Sequence, residues 1–259
     1  MQQRDLQAIF SEQGVDVTSL RPLFPLHDQV VYVLAAPRAQ ALDCWAALRA
    51  LVPVTGYWPV IGWDRLLGPP WKTVAPETII DRALQLDVPH WFQEEGIASA
   101  LDPVREATYG HTTCPPLAFH IHEQRAFPFT LPPSVAPIAL IPVNGPWQVP
   151  AYLQLGGMDT WGHTVGRIGG VEGAHGMEPQ VHMAILKYWY ERWGAEAVAA
   201  TAADLEVRVL RPPTTPAAAL ELAKEQYLYC RDLVDQHTGS VTVLAKLLLD
   251  SPVWWFWWD

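Results

Sequence analysis

The chain has 259 residues, half of them hydrophobic, with 17% charged and a formal net charge of −10. That length and apolar content allow a sizeable core and exclude a disordered chain. The acidic balance speaks against nucleic-acid binding, which needs a basic footprint, and against adhesion to anionic membrane.

The first residues, Met1 to Gln7, lack the apolar stretch of a secretory signal. The longest apolar runs, Ile138–Val143 and Val253–Trp258, fall far short of the ~20 residues a membrane span needs. Cys44, Cys114 and Cys230 are odd in number and far apart, so no disulfide framework is implied. A cytoplasmic location is the expectation.

In chain order, residues 4–13 are predicted as a short helix with Leu6, Ile9 and Phe10 on one face. Val30–Ala36 is a continuous β-favouring run, hence a buried strand. Pro37 opens a helix over Arg38–Leu51, with Ala41, Leu42, Trp45 and Leu48 at helical spacing. Pro53 ends it, and Tyr57–Ile61 reads as a second strand, completing a βαβ unit. Prolines punctuate the stretch that follows. Within it Glu77–Leu86 and Trp91–Ala100 are predicted as helices, and Leu117–His122 alternates like a strand. Pro128–Pro137 is the expected linker, dividing the chain into an N-terminal α/β region, 1–137, and a C-terminal domain, 138–259.

Beyond the linker Ile138–Val143 reads as a strand, and Pro146–Leu155 as a turn and short helix. A glycine-rich loop reaches Gly176. Pro179 starts a helix striped by Val181, Ile185 and Trp189, with Gly194 as its stop. Ala197–Thr201 and Leu205–Leu210 read as strands, the second alternating apolar and charged, so one face is expected to be wet. Thr215 caps a helix running to Tyr229, and Val241–Leu249 is the last helix. The chain ends in Val253-Trp-Trp-Phe-Trp-Trp-Asp259. Each large aromatic ring offers about 150–250 Å² for burial, so this run is expected as a terminal strand under helices. The fold class is mixed α/β (α+β): helices packed on a mixed sheet, with the aromatic strand buried in it.

Several segments carry a resemblance. They are Pro146-Trp-x-Val-Pro-Ala-Tyr-Leu153, Gly156-Gly157, Trp189-Tyr-Glu-Arg-Trp-Gly-Ala-Glu196 and Glu206-Val-Arg-Val209. They continue through Arg211-Pro-Pro213, Glu225-Gln-Tyr-Leu-Tyr-Cys230, Asp232-Leu-Val-Asp-Gln236 and Trp254-x-Phe-Trp-Trp-Asp259. In this order residues 138–259 resemble the bacterial family catalogued as domain of unknown function 4253. The resemblance implies a fold and no reaction. Binding candidates within these segments are Trp147, Tyr152, Glu225, Tyr229 and Gln236. The chain departs from the family at Met158-Asp159-Thr160, where a Trp-Asn and a Cys-Pro pair are usual, and at Arg231, where proline is more frequent.

Two constellations suggest chemistry. Cys230, Asp232, Asp235 and His237 bring a thiol, an imidazole and carboxylates to one helix end, as a Cys–His nucleophile needs. A thiolate, however, is stabilised at a helix N-terminus, and Cys230 stands at a C-terminus, where a small buried residue beside a structured turn is the commoner meaning. His120 and His122 alternate on one strand face, and His163 and His175 in the glycine-rich loop add imidazoles for a divalent metal. No diagnostic spacing such as His-Glu-x-x-His supports that set. The glycines around Gly166–Gly173 match neither a phosphate loop nor a dinucleotide fingerprint.

Two functions follow. The first is a cytoplasmic binding or interaction module, immunity-like or regulatory, with a protein partner. The second is a metal-assisted hydrolase using the clustered histidines. Convergence of those histidines in a pocket separates the two.

Overall fold

A computed structural model describes residues 3–26, 29–62, 75–98, 134–153, 177–200 and 204–258. The N-terminal region contributes α1 (Gln3–Glu12), β1 (Arg21–Leu26), β2 (Gln29–Pro37), α2 (Ala41–Ala50), the single turn α3 (Val52–Thr55), β3 (Tyr57–Ile61), α4 (Pro76–Leu84) and α5 (Val88–Ala98). Then come β4 (Val135–Pro142), α6 (Val149–Leu153), α7 (Pro179–Trp193), β5 (Ala195–Ala200) and β6 (Asp204–Val209). The chain closes with α8 (Pro216–Tyr229), a π-helical turn (Leu233–Thr238), α9 (Val241–Leu248) and β7 (Val253–Trp257). The mixed α/β class is as the sequence implies.

The described strands form one mixed sheet in the order β1-β2-β4-β3-β5-β6-β7. Only β3 and β5 pair in parallel; the other neighbours are antiparallel. Strand β2, helix α2 and strand β3 make the expected βαβ crossover, but the unit is split. Both strands pair antiparallel with β4, so they run parallel to each other with β4 between them. Strand β4 also begins earlier than the apolar run suggests, at Val135, so the last residues of the proline-rich stretch are sheet rather than linker. Strand β1 escapes sequence reading because Pro22 and Pro25 punctuate it. Both are tolerated there because β1 is an outer strand with one neighbour.

Cross-strand register divides the sheet into two faces. Leu205, Val207, Trp254 and Phe256 point to one face, where α7 and α8 cover them. Trp189 of α7 stacks on Phe256 at 5.5 Å and meets Trp254 edge-on at 5.6 Å. Tyr229 of α8 meets Phe256 at 5.0 Å and Trp258 at 5.5 Å. The terminal aromatic run is therefore buried along one side, as its composition requires. Trp255 and Trp257 alternate to the other side and stay partly exposed.

That second face carries a buried clasp. Glu196 of β5 is fully buried and lies opposite Arg208 of β6. Arg49 of α2 donates from Nε (3.2 Å) and Nη2 (2.6 Å) to one carboxylate oxygen, and Arg208 donates from Nε and Nη2 to the other. Each guanidinium also lies on an indole, Arg49 over Trp58 at 5.1 Å and Arg208 over Trp45 at 4.8 Å. The indole N–H groups are used as well, Trp45 to Pro59 O (2.8 Å) and Trp58 to Ala197 O (2.9 Å). Strand β6 is drier on its charged face than its alternation predicts: Asp204 and Arg208 are partly exposed, but Glu206 is buried to 1% and Arg208 is held in the clasp.

Candidate functional site

The sequence candidates of the C-terminal region meet where α8 ends against α7 and β7. Thr215 caps α8 by accepting from Ala218 N, and Pro216 fills the first turn. The helix then carries Glu225, Tyr229 and Cys230 to their places. Glu225 accepts from the indole of Trp189 (2.9 Å), the Tyr188 hydroxyl (3.3 Å) and Arg192 (2.6 Å). Arg192 in turn lies over the rings of Tyr188 (4.8 Å) and Trp193 (5.2 Å). The carboxylate thus ties α7 to α8 with charge-assisted bonds.

Tyr229 is fully buried, and its hydroxyl pairs with His182 Nδ1 at 2.8 Å. Burial pushes its phenol well above the ordinary value. The same burial drives His182 down to about 3, against a smaller opposing effect from a hydrogen bond with the Met177 backbone. Both groups are neutral at ordinary pH, and the ring of His182 meets Trp258 edge-on at 5.7 Å. This pair is a polar link inside the aromatic core.

Cys230 is buried, and its thiol donates to Trp257 O at 2.9 Å. Burial raises its pKa to about 12, outweighing the backbone hydrogen bonds that lower it. A group in that state is a thiol at neutral pH and a poor nucleophile. Its hydrogen bond, with the two bonds that Ser251 Oγ makes to Val253 N (3.4 Å) and O (2.8 Å), occupies outward backbone groups of β7. Side chains thereby blunt the outer edge of the sheet.

The structured turn after Tyr229 is the π-helical turn Leu233–Thr238. Within it Gln236 donates to Asp232 (2.9 Å), and Tyr227 donates across to Asp235 (3.3 Å). The His237 ring stands edge-on to Trp255 at 5.5 Å. Asp232, Asp235 and His237 are thus each engaged locally, and Cys230 is engaged with β7. Nearby on α5, burial raises Glu95, with Arg231 opposing the shift.

The remaining candidates are scattered. Trp147 lies under the Lys187 ammonium at 5.7 Å. Tyr152 belongs to α6, but its side chain lies outside the described residues, as do His120, His122, His163 and His175. Among the described residues, no group of three or more His, Cys, Asp or Glu side chains could hold a metal. No helix among them is long and apolar enough to cross a membrane.

A groove of about 250 Å³ that sequence reading did not single out runs between α4, α5 and α7. Ala83, Leu86, Val88, Pro89 and Ala184 line it, with Asp87, Lys187, Tyr188 and Glu191 as its polar groups. Leu84 on its wall is 54% exposed. That exposed leucine at the end of an otherwise amphipathic helix, Pro76–Leu84, is the signal the sequence held. Lys187, already over Trp147, also pairs with Glu191.

The segments quoted above all fall between β4 and the chain end. Residues 137–259 match the domain of unknown function DUF4253. The DUF4253 region therefore supplies most of β4, then β5 to β7 and α6 to α9, while β1 to β3, α1 to α5 and the Arg49 side of the clasp lie upstream of it. No curated protein and no solved structure matches the chain.

Proposed function

We propose that the protein is a binding module that engages a protein partner, in the manner of an immunity-like or regulatory factor. The observation that carries this reading is the groove between α4, α5 and α7, with its mixed apolar and polar lining and exposed Leu84. Concave surfaces that combine apolar contact with placed polar groups are a usual form of recognition site. The reactive groups near α8 support the same reading, because each is committed to a structural bond: Cys230 to Trp257, Glu225 to Arg192 and Trp189, His182 to Tyr229. The free thiols Cys44 and Cys230 agree with a reducing, cytoplasmic setting.

Two measurements in parallel test the proposal. Tagged parent and Leu84→Glu proteins are crosslinked in extract of the source cells, and the same parent is screened for hydrolysis with zinc, manganese and iron. A partner held by the parent and lost by the variant, at unchanged thermal unfolding, is the expected result; Leu84 is exposed, so its exchange costs little stability. Metal-dependent turnover that disappears in a His120→Ala/His122→Ala variant would replace the binding module with a hydrolase.

A further inference from the structure

The clasp around Glu196 holds more positive charge than its carboxylate cancels. Arginine stays protonated in proteins, so one carboxylate between Arg49 and Arg208 leaves a surplus of one positive charge. That surplus stands on a chain whose formal net charge is −10. Glu206, buried on the same face of β6 and opposite Trp255, lowers the local potential but takes none of the N–H groups that Glu196 receives.

A guanidinium has five N–H groups. Glu196 takes the Nε proton and one Nη2 proton of each arginine, which leaves the Nη1 pair and the second Nη2 proton on both. The other contact of each cation is an indole against its flat face, Trp58 for Arg49 at 5.1 Å and Trp45 for Arg208 at 4.8 Å. Such a ring orients the cation without using the donors at its edge. Both side chains reach solvent, Arg49 at 28% and Arg208 at 32% exposure. Among the described residues, none of their nitrogens is a buried atom without a partner. The outer edges are therefore held in place before any ligand arrives, which removes much of the ordering cost of binding.

The two edges are also close together. Each arginine holds one oxygen of the same carboxylate, so their Nη2 atoms stand at most about 7–8 Å apart. A tetrahedral oxyanion projects its oxygens in different directions and accepts from two guanidiniums at that separation, on the solvent side of Glu196. Arg49 comes from α2, upstream, and Arg208 from β6 of the DUF4253 region, so one bound anion would span both parts of the chain.

We infer that Arg49 and Arg208 form a binding site for a phosphate group, free or carried on a larger molecule, held by the guanidinium edges that Glu196 does not take. The inference goes beyond the protein-partner reading and uses neither the groove nor Leu84.

The test is a nuclear magnetic resonance titration of the full chain that follows the arginine Nε–H signals. Inorganic phosphate and phenyl phosphate are the probes, with sodium chloride at matched ionic strength as the control. Parent, Arg49→Lys, Arg208→Lys and Arg82→Gln proteins are compared, each checked for a native circular dichroism spectrum. Arg82 is exposed on α4, so its exchange removes one positive charge away from the clasp. The expected result is saturable movement of the Arg49 and Arg208 signals in the parent, with half-saturation near about 1 mM. Binding is weakened about tenfold in either lysine variant, because an ammonium lacks the donor fork, and is unchanged in Arg82→Gln. Tighter binding of phenyl phosphate assigns the site to phosphate esters, and tighter binding of inorganic phosphate assigns it to the free ion. The parent titration decides the matter if the lysine variants do not fold. No saturable movement in the parent up to about 50 mM of either probe overturns the site. So does the same movement with chloride, or equal affinity in parent and folded lysine variants. The crosslinking result stands apart from this one, so either proposal can fail without the other.

Discussion

Glu196 shows how much a single carboxylate can organise. It is fully buried, yet its two oxygens receive four N–H bonds from arginines that are themselves partly exposed. A buried charge with its partners in place is tolerated, whereas removing one member of the set leaves the others unmatched. Glu196→Gln is therefore expected to destabilise the fold by about 3 kcal/mol, read from urea unfolding. A loss well under 1 kcal/mol would mean that the arginines re-solvate freely. His182 makes a second prediction at this scale. Its folded pKa is about 3, lowered by burial from an ordinary 6.5, so the folded state keeps the ring neutral while the unfolded chain protonates it below 6.5. The stability contribution is complete above about pH 6.5 and is lost as pH falls toward about 3. At about 1.4 kcal/mol per pH unit, acidification from pH 6.5 to 5 costs about 2 kcal/mol from this group. His182→Gln removes that slope, so unfolding curves at pH 7 and pH 5 should differ more for the parent than for the variant. Equal pH dependence in the two proteins would overturn the neutral-imidazole assignment.

Among the elements, α7 is the one whose limits the sequence states most clearly. Pro179 begins it and Gly194 ends it, with φ of +66° and its N–H bonded to Tyr190 O. A β-carbon at position 194 would stand 2.8 Å from Leu210 Cβ, in a left-handed conformation unfavourable to any side chain. Gly194→Ala is expected to cost about 1–2 kcal/mol, seen as a lower thermal midpoint, and a neutral exchange would show that the α7–β5 corner relaxes. The helices of the C-terminal half and the aromatic strand were legible for the same reason as α7. Their apolar spacing, caps and stops act within a few residues. Strand β1 was not, because its prolines count against a strand unless it lies at an edge. The π-helical turn was not, because Asp232, Asp235 and Gln236 also suit a polar loop. The clasp was invisible because Arg49 and Glu196 are 147 residues apart, and nothing local in either segment marks the other. Of the candidate site, the residues of α8 were found, but their roles depend on what α7 and β7 place against them.

For the whole molecule, the decisive feature is the position of β4. It is the first strand of the DUF4253 region, yet both of its neighbours, β2 and β3, come from upstream. Residues 137–259 alone would leave β4 unpaired on both sides. They would also remove Arg49 from Glu196 and Trp58 from Ala197. That fragment is expected to lack cooperative unfolding and a dispersed amide spectrum, while the full chain shows both. A fragment that folds cooperatively by circular dichroism and nuclear magnetic resonance would show that the upstream strands are dispensable.

The split crossover also sets a timetable for biosynthesis. About seventy residues separate the end of β3 from the start of β4. At about 5–20 residues per second, β2 and β3 are made several seconds before the strand that belongs between them. During that interval each has an edge with no mate, the kind of surface that recruits other nascent chains. Lower temperature or added chaperone during expression should therefore raise the soluble yield through folding on the ribosome, without any change in the stability of the finished protein.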